Sequence, residues 1–276
     1  MATHTTHSIF CSSVQSCFSA VRIRALCAAL LVALVTGCAG TAGGRLSSAD
    51  ADALENAIDR DDAGYVSAAV RGGIPADQRI PAAGYSAGAP LIALAARAAS
   101  LNTLRFLISA GADVNARTPV NETPLMLAAY FRDDGIHSAD RHDEAVRILL
   151  RAGALVENDA YNYTPLAYAA YNDRLRAMIY LLEHGARVDA DAVNRLTYIN
   201  TPLMMAAIQG HREAVRALLR AGADPFVRVH NGNTAREFAV KYRHSHVEPL
   251  LACAESLPAG RRFSQHCEGP SVATGR

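Results

Sequence analysis

The sequence predicts an all-α solenoid: a row of stacked helix–turn–helix units, each with a hairpin-like finger projecting from it. Three observations predict this fold. The segment Thr123-Pro-Leu-Met-Leu-Ala-Ala recurs as Thr164-Pro-Leu-Ala-Tyr-Ala-Ala and as Thr201-Pro-Leu-Met-Met-Ala-Ala. Each copy leads to a second apolar stretch with a glycine at its end, at residues 146–158, 178–189 and 215–226. Half of the 276 residues are hydrophobic, with Ala and Leu dominant, no Trp, and no blocks of β-branched residues of the kind that favour strands.

The N-terminal segment reads as an address. Residues 1–24 are rich in Ser, Thr and His and hold no acid, and Arg22 and Arg24 precede an apolar run from Ala25 to Val35. A run of this length falls short of the about 20 residues that a membrane-spanning helix needs. It suits the apolar core of a secretory signal. The stretch before Arg22 is long for such a signal, which makes Val21 a candidate alternative start. Val35-Thr36-Gly37-Cys38 follows and resembles a bacterial lipobox, with Val35 where that family usually has Leu. The resemblance implies that residues 1–37 are a signal peptide and that Cys38 carries the lipid (palmitate). It also implies, from the absence of Asp at Ala39, an outer-membrane lipoprotein facing the periplasm. Residues 38–48 are mostly small or polar and read as a flexible tether.

Residues 49–254 hold the repeats. In each unit Thr caps the first helix, and Pro occupies the first turn, where no N–H is needed. The Leu and the paired Ala pack helix against helix at close range. Gly111, Gly153, Gly185 and Gly222 supply the left-handed C-cap of the second helix, and the Asp, Asn and Pro that follow are turn formers. One unit cannot bury its apolar faces alone, so several must stack. Ala89-Pro-Leu-Ile is a weaker copy, and Asn233-Thr-Ala-Arg-Glu-Phe-Ala a degenerate one. The stretch from Leu54 to Gly73 has the right length but a poor motif and reads as the N-terminal cap. Residues 233–254 form the C-terminal cap, where Pro249 is expected to shorten or kink the second helix.

The motif prolines are spaced 34, 41 and 37 residues apart, and 33 more lead from Pro202 to Ala235. The excess marks an insertion near 131–142, between the two helices of one unit, and a lengthened finger before Thr201. These segments are similar to the ankyrin-repeat family over residues 50–254, in five to six repeats including degenerate caps. The resemblance implies a cupped stack whose partners meet the finger tips and the exposed ends of the first helices. Residues 255–276 are expected to be a disordered tail.

Candidate chemistry is thin. Gly84-Tyr-Ser-Ala-Gly88 matches the G-x-S-x-G nucleophile elbow of α/β-hydrolases, which would make Ser86 catalytic. The elbow needs a buried strand before it, residues 76–83 do not read as one, and no HGGG-like oxyanion segment lies upstream. Ser86 is also in phase with a finger. His137 and His142 lie among Asp133, Asp134, Asp140 and Asp143, a metal site being the alternative to a solvated loop. His211 and His244 stand where ankyrin units often carry a histidine joining the two helices. No catalytic residue, metal or cofactor is assigned, and an enzyme is not expected. Cys253 and Cys267 remain as an even pair in an exported chain and are candidates for a disulfide.

The net charge is +1, and Arg22 and Arg24 are the only charges before Cys38, so the rest is near neutral too. Nucleic acid is not expected as a partner. The phases that face a partner in the resembling family hold Tyr130, Phe131, Tyr171, Asn172, Ile208 and Gln209 after the Ala-Ala pairs. The fingers add Tyr161, Tyr163, Arg195, Tyr198 and His230. Five of the ten tyrosines fall in these phases, and Tyr is enriched at binding hot spots. The expectation is a monomeric, membrane-tethered scaffold for a protein partner, with an inhibitor or immunity role towards an envelope enzyme or toxin as one version. A structural adaptor of the envelope and a glycan binder are the alternatives.

Overall fold

The computed structural model describes residues 46–130, 139–157, 163–190, 201–228, 232–258 and 263–267. The signal segment with Cys38, and also Phe131, His137, Tyr161, Arg195, Tyr198 and His230, lie outside the described residues.

Six helix pairs follow one another: α1 (Ser48–Asp59) with α2 (Ala63–Arg71), α3 (Leu91–Arg97) with α4 (Leu101–Ser109), and α5 (Pro124–Ala129) with α6 (Ala139–Arg151). Then come α7 (Pro165–Tyr171) with α8 (Leu175–Glu183), α9 (Pro202–Gln209) with α10 (Arg212–Arg220), and α11 (Ala235–Lys241) with α12 (Glu248–Ser256). A short α13 (Phe263–His266) closes the series. Thr123, Thr164, Thr201 and Thr234 each cap a first helix, their side chains accepting the N–H three residues on.

The first helices form an inner row, α3 to α5 to α7 to α9 to α11, and the second helices an outer row. Every residue of α5 is buried, whereas α10 buries one stripe, Ala214, Val215, Leu218 and Leu219. That difference follows from position: inner helices touch neighbours on both sides as well as their own partner, and outer helices face solvent. Ala128, Ala129, Ala169, Ala170, Ala206 and Ala207 are fully buried, so the inner row packs at a distance only a methyl group permits. Each fully buried Leu contributes about 1.5–3 kcal/mol, and the repeat supplies several per unit.

Side chains join the units at one recurring place. Ser100 Oγ donates to Ile58 O, His142 Nε2 lies 3.0 Å from Arg97 O, His211 Nε2 2.9 Å from Tyr171 O, and His244 Nε2 2.7 Å from Ile208 O. In each case a residue at the start of an outer helix holds the carbonyl at the end of the preceding inner helix. The equivalent residue of α8 is Arg174, which donates instead to Ala139 O and pairs with Asp143 Oδ1 at 2.6 Å, both side chains being buried. A second ladder joins the fingers: Asp77 accepts from Asp113 N, Asn115 from Leu155 N, Glu157 from Arg187 N and Asp189 from Asp224 N, at 2.7–3.0 Å.

Four expectations are corrected. The segment before Ser86 does contain a strand: β1 (Arg79–Ala82) pairs antiparallel with β2 (Tyr85–Pro90) in a hairpin finger. Buried Ile80 and Tyr85 alternate with exposed neighbours and hold it to the stack. The insertion is shorter than 131–142, because α6 already starts at Ala139 and buries His142 and Asp143. Pro249 does not break its helix, since α12 starts at Glu248 and Pro249 lies in the first turn, where its missing N–H costs nothing. Residues 255–276 are not all a disordered tail: α12 runs to Ser256, Phe263 is buried, and Cys267 is bonded to Cys253 across 2.09 Å.

Candidate functional site

Two neighbouring groups of side chains gather the nominated residues that the structure describes. The first is aromatic. Tyr130 is the C-cap of α5 and is 43% exposed. Tyr168 projects from α7, because Leu166, Ala169 and Ala170 of that helix are turned into the core. Tyr163 stands just before the Thr164 cap. The Tyr168 ring centroid is 4.9 Å from that of Tyr130 at an interplanar angle of 69°, and 5.9 Å from that of Tyr163 at 78°. Edge-to-face pairs at these spacings are favourable, and they fix the rings relative to one another.

The carboxylate of Glu122 acts on this group. It accepts a 2.6 Å hydrogen bond from the hydroxyl of buried Tyr85. The Tyr168 hydroxyl is held well above the usual phenol range, first by burial and then by the charge of Glu122 and the adjoining Tyr130 and Tyr163. Tyr85 is raised in the same direction by burial, by its bond to Glu122 and by that carboxylate's charge, with Arg97 opposing. Both phenols are therefore neutral donors at any ordinary pH. Arg97 lies over the Tyr85 ring at 5.5 Å and also pairs with Glu55 at 3.3 Å.

The second group is polar. Tyr171, Asn172, Asp173, Arg174, Arg176, Gln209 and His211 line a cleft of about 460 Å³, with Ala139 and Asp143 behind it. Asn172 links the two groups, its Nδ2 donating to Tyr130 O at 2.9 Å and to Tyr168 O at 3.1 Å. The Asp173 carboxyl is raised by burial, with His211 and the Ala214 N–H pulling the other way. Much of the polar lining is thus engaged within the stack.

Tyr130 and Tyr163 are thus brought together with Tyr168, and Tyr171, Asn172 and Gln209 line the cleft. Ile208 is buried at 8% exposure and belongs to the core, not to a binding surface. Tyr168 was missed. It occupies the phase that holds Leu127 and Met205 in the units on either side, where both are buried, whereas Tyr168 is only partly buried. Ser86 is exposed near the start of β2, which a tight turn joins to its antiparallel partner β1, so the segment lacks the geometry of a nucleophile elbow. His142, His211 and His244 are structural joints, and among the described residues no three His, Cys, Asp or Glu side chains gather as metal ligands.

Comparison with known proteins agrees with the architecture. A model described as ankyrin repeats (3 copies) matches residues 92–192, and one described as ankyrin repeats (many copies) matches residues 188–239. The mitochondrial disaggregase of Bos taurus is 30% identical over 163 residues, which is 59% of this chain and 22% of that protein. The palmitoyltransferase Hip14 of Drosophila melanogaster is 43% identical over 84 residues, 30% of this chain and 13% of that protein. The chain thus spans less than a quarter of the length of either relative.

Proposed function

The chain belongs to the ankyrin-repeat family, and from that premise we propose that it is an exported lipoprotein that holds a protein partner against its Tyr130–Tyr163–Tyr168 surface. The observation that carries the reading is the tyrosine group itself. Tyr130 is exposed, and its ring is already fixed against Tyr168, so a partner gains aromatic contact area with little ordering cost. Neither the disaggregase nor the acyltransferase activity named for the relatives is carried over.

Export and lipid attachment rest on the Val35-Thr36-Gly37-Cys38 segment, with Cys38 as the acylated residue. The Cys253–Cys267 bond supports an oxidising compartment, where such bonds persist. No helix among the described residues is long and apolar enough to cross a membrane, so the anchor in this reading is the lipid. An inhibitory or immunity role towards an envelope enzyme or toxin is the version that this location favours.

The test has two arms. Metabolic labelling with a palmitate analogue should mark the wild-type chain and not Cys38→Ser; equal labelling of both would remove the lipoprotein reading. A partner captured from envelope extract, then purified, should bind the wild type and lose at least tenfold in affinity for Tyr130→Ala/Tyr163→Ala, a loss of about 1.4 kcal/mol. Unchanged affinity would place the partner elsewhere.

A further inference from the structure

We infer that the tyrosine group, together with Glu122, is a receptor for a cationic side chain, so that the partner presents a lysine or arginine there. The inference rests on the protein-binding reading above and deepens it.

The three rings form an edge-to-face cluster with Tyr168 in contact with both of the others, and Tyr130 is 43% exposed. Tyr168 stands near-perpendicular to both Tyr130 and Tyr163, at 69° and 78°, so the three rings cannot stack flat on one another. Aromatic faces carry negative potential and attract ammonium and guanidinium groups. The Glu122 carboxylate adjoins the group, held there by the 2.6 Å hydrogen bond it accepts from Tyr85, and it acts electrostatically on Tyr168. Its recorded side-chain partner is the neutral Tyr85 hydroxyl, and no Lys, Arg or His pairs with it among the described residues. A half-buried carboxylate beside aromatic rings favours an incoming cation more than an exposed one does, because less water screens it.

The molecule already uses this chemistry one step away. Arg97 lies over the Tyr85 ring, and its own charge is answered by Glu55. Among the described residues no cation lies over Tyr130, Tyr163 or Tyr168. Among the described residues, then, the charge of Glu122 is answered by no cation.

The experiment titrates the full-length chain, in detergent and with its tyrosines labelled with carbon-13, with three capped amino acids: the N-acetyl methylamides of lysine, arginine and norleucine. Either cationic probe should shift the ring signals of Tyr130, Tyr163 and Tyr168 at concentrations about threefold or more below those the norleucine probe needs. Glu122→Gln, which keeps an acceptor for the Tyr85 hydroxyl, should abolish that preference, and so should Tyr130→Leu at the exposed ring. Equal response to norleucine, or a preference that survives both substitutions, would overturn the inference. The purified partner separates the two readings. Loss of its binding in Tyr130→Ala/Tyr163→Ala with no effect of Glu122→Gln would leave the docking surface standing and remove the cation receptor.

Discussion

Asn172 Nδ2 donates to the main-chain oxygen of Tyr130 from the next unit along, at 2.9 Å, and so ties the exposed end of one inner helix to its neighbour. The residue stands at a partner-facing phase of the repeat, yet its amide also bonds Tyr168 O at 3.1 Å. Asn172→Ala is expected to lower stability by about 1–2 kcal/mol, the usual effect of leaving carbonyls short of a donor. Tyr130→Ala should change it by less, about 1 kcal/mol or below, as the residue is 43% exposed and chiefly loses its edge-to-face contact with Tyr168. Urea unfolding of both variants checks the contrast, and the reverse order would make Asn172 a surface contact.

Gly210 ends α9 in the left-handed region, φ 72°, and a Cβ built there would stand 2.5 Å from His244 Nδ1. His244 cannot easily withdraw, because its Nε2 is joined to Ile208 O. Gly210→Ala should therefore destabilise by about 2–4 kcal/mol, adding a clash to the roughly 1 kcal/mol backbone penalty. Gly222→Ala, also at positive φ but with open space around it, should cost only the backbone part. In a double-mutant cycle with His244→Ala, Gly210→Ala should be less harmful by at least about 0.5 kcal/mol; strict additivity would mean that the two residues do not meet.

The Cys253–Cys267 bond closes a segment with a sequence separation of 14 and brings buried Phe263 back onto the stack. In the chain-entropy account, such a loop contributes about 3 kcal/mol. Cys253→Ser/Cys267→Ser should lose stability of that order, and limited proteolysis should then remove residues after 258 while sparing α10. Equal urea midpoints with and without reductant would show that the bond restrains nothing in the folded state.

The Asp189 carboxyl is raised above its ordinary value, by burial first, with the N–H of Asp224 opposing and the Asp224 charge adding. The folded chain thus holds this proton more tightly than the unfolded one. Its contribution is complete below the ordinary aspartate range, about pH 3.9, and is lost as the pH rises through the higher folded value. Asp189→Asn keeps an acceptor for Asp224 N and has no proton to lose. The variant should gain on the wild type as the pH rises from about 3 to 7, measured by urea midpoints, and a constant gap would exclude the effect.

The repeats were legible because their chemistry is local. The Thr cap, the Pro in the first turn and the Gly past the second helix each act within a few residues of chain, and Thr123, Thr164, Thr201 and Thr234 do what their sequence context implies. Bonds between units were not legible. Nothing near Asn115 in the chain announces that it will meet Leu155 N, or that Arg174 will replace a histidine beside Asp143. Pro249 shows the same limit: a proline breaks a helix or begins one according to where the helix starts, and that depends on the packing of Leu250, Leu251 and Ala254. Tyr168 was hidden because its phase is apolar in neighbouring units, so pattern alone gave no reason to single it out.

The recurring joint at the start of each outer helix makes the units interchangeable. His211 takes Tyr171 O and His244 takes Ile208 O in the same way. A second copy of the unit that begins at Thr201, spliced in after Asn233, would set its histidine on Ile208 O and offer its own carbonyl to His244. Gene duplication could lengthen such a chain without any new fitting. Among the described residues, the junction that departs from this pattern is at Arg174, which turns to Asp143 and to Ala139 O at the start of α6, the helix that follows the insertion.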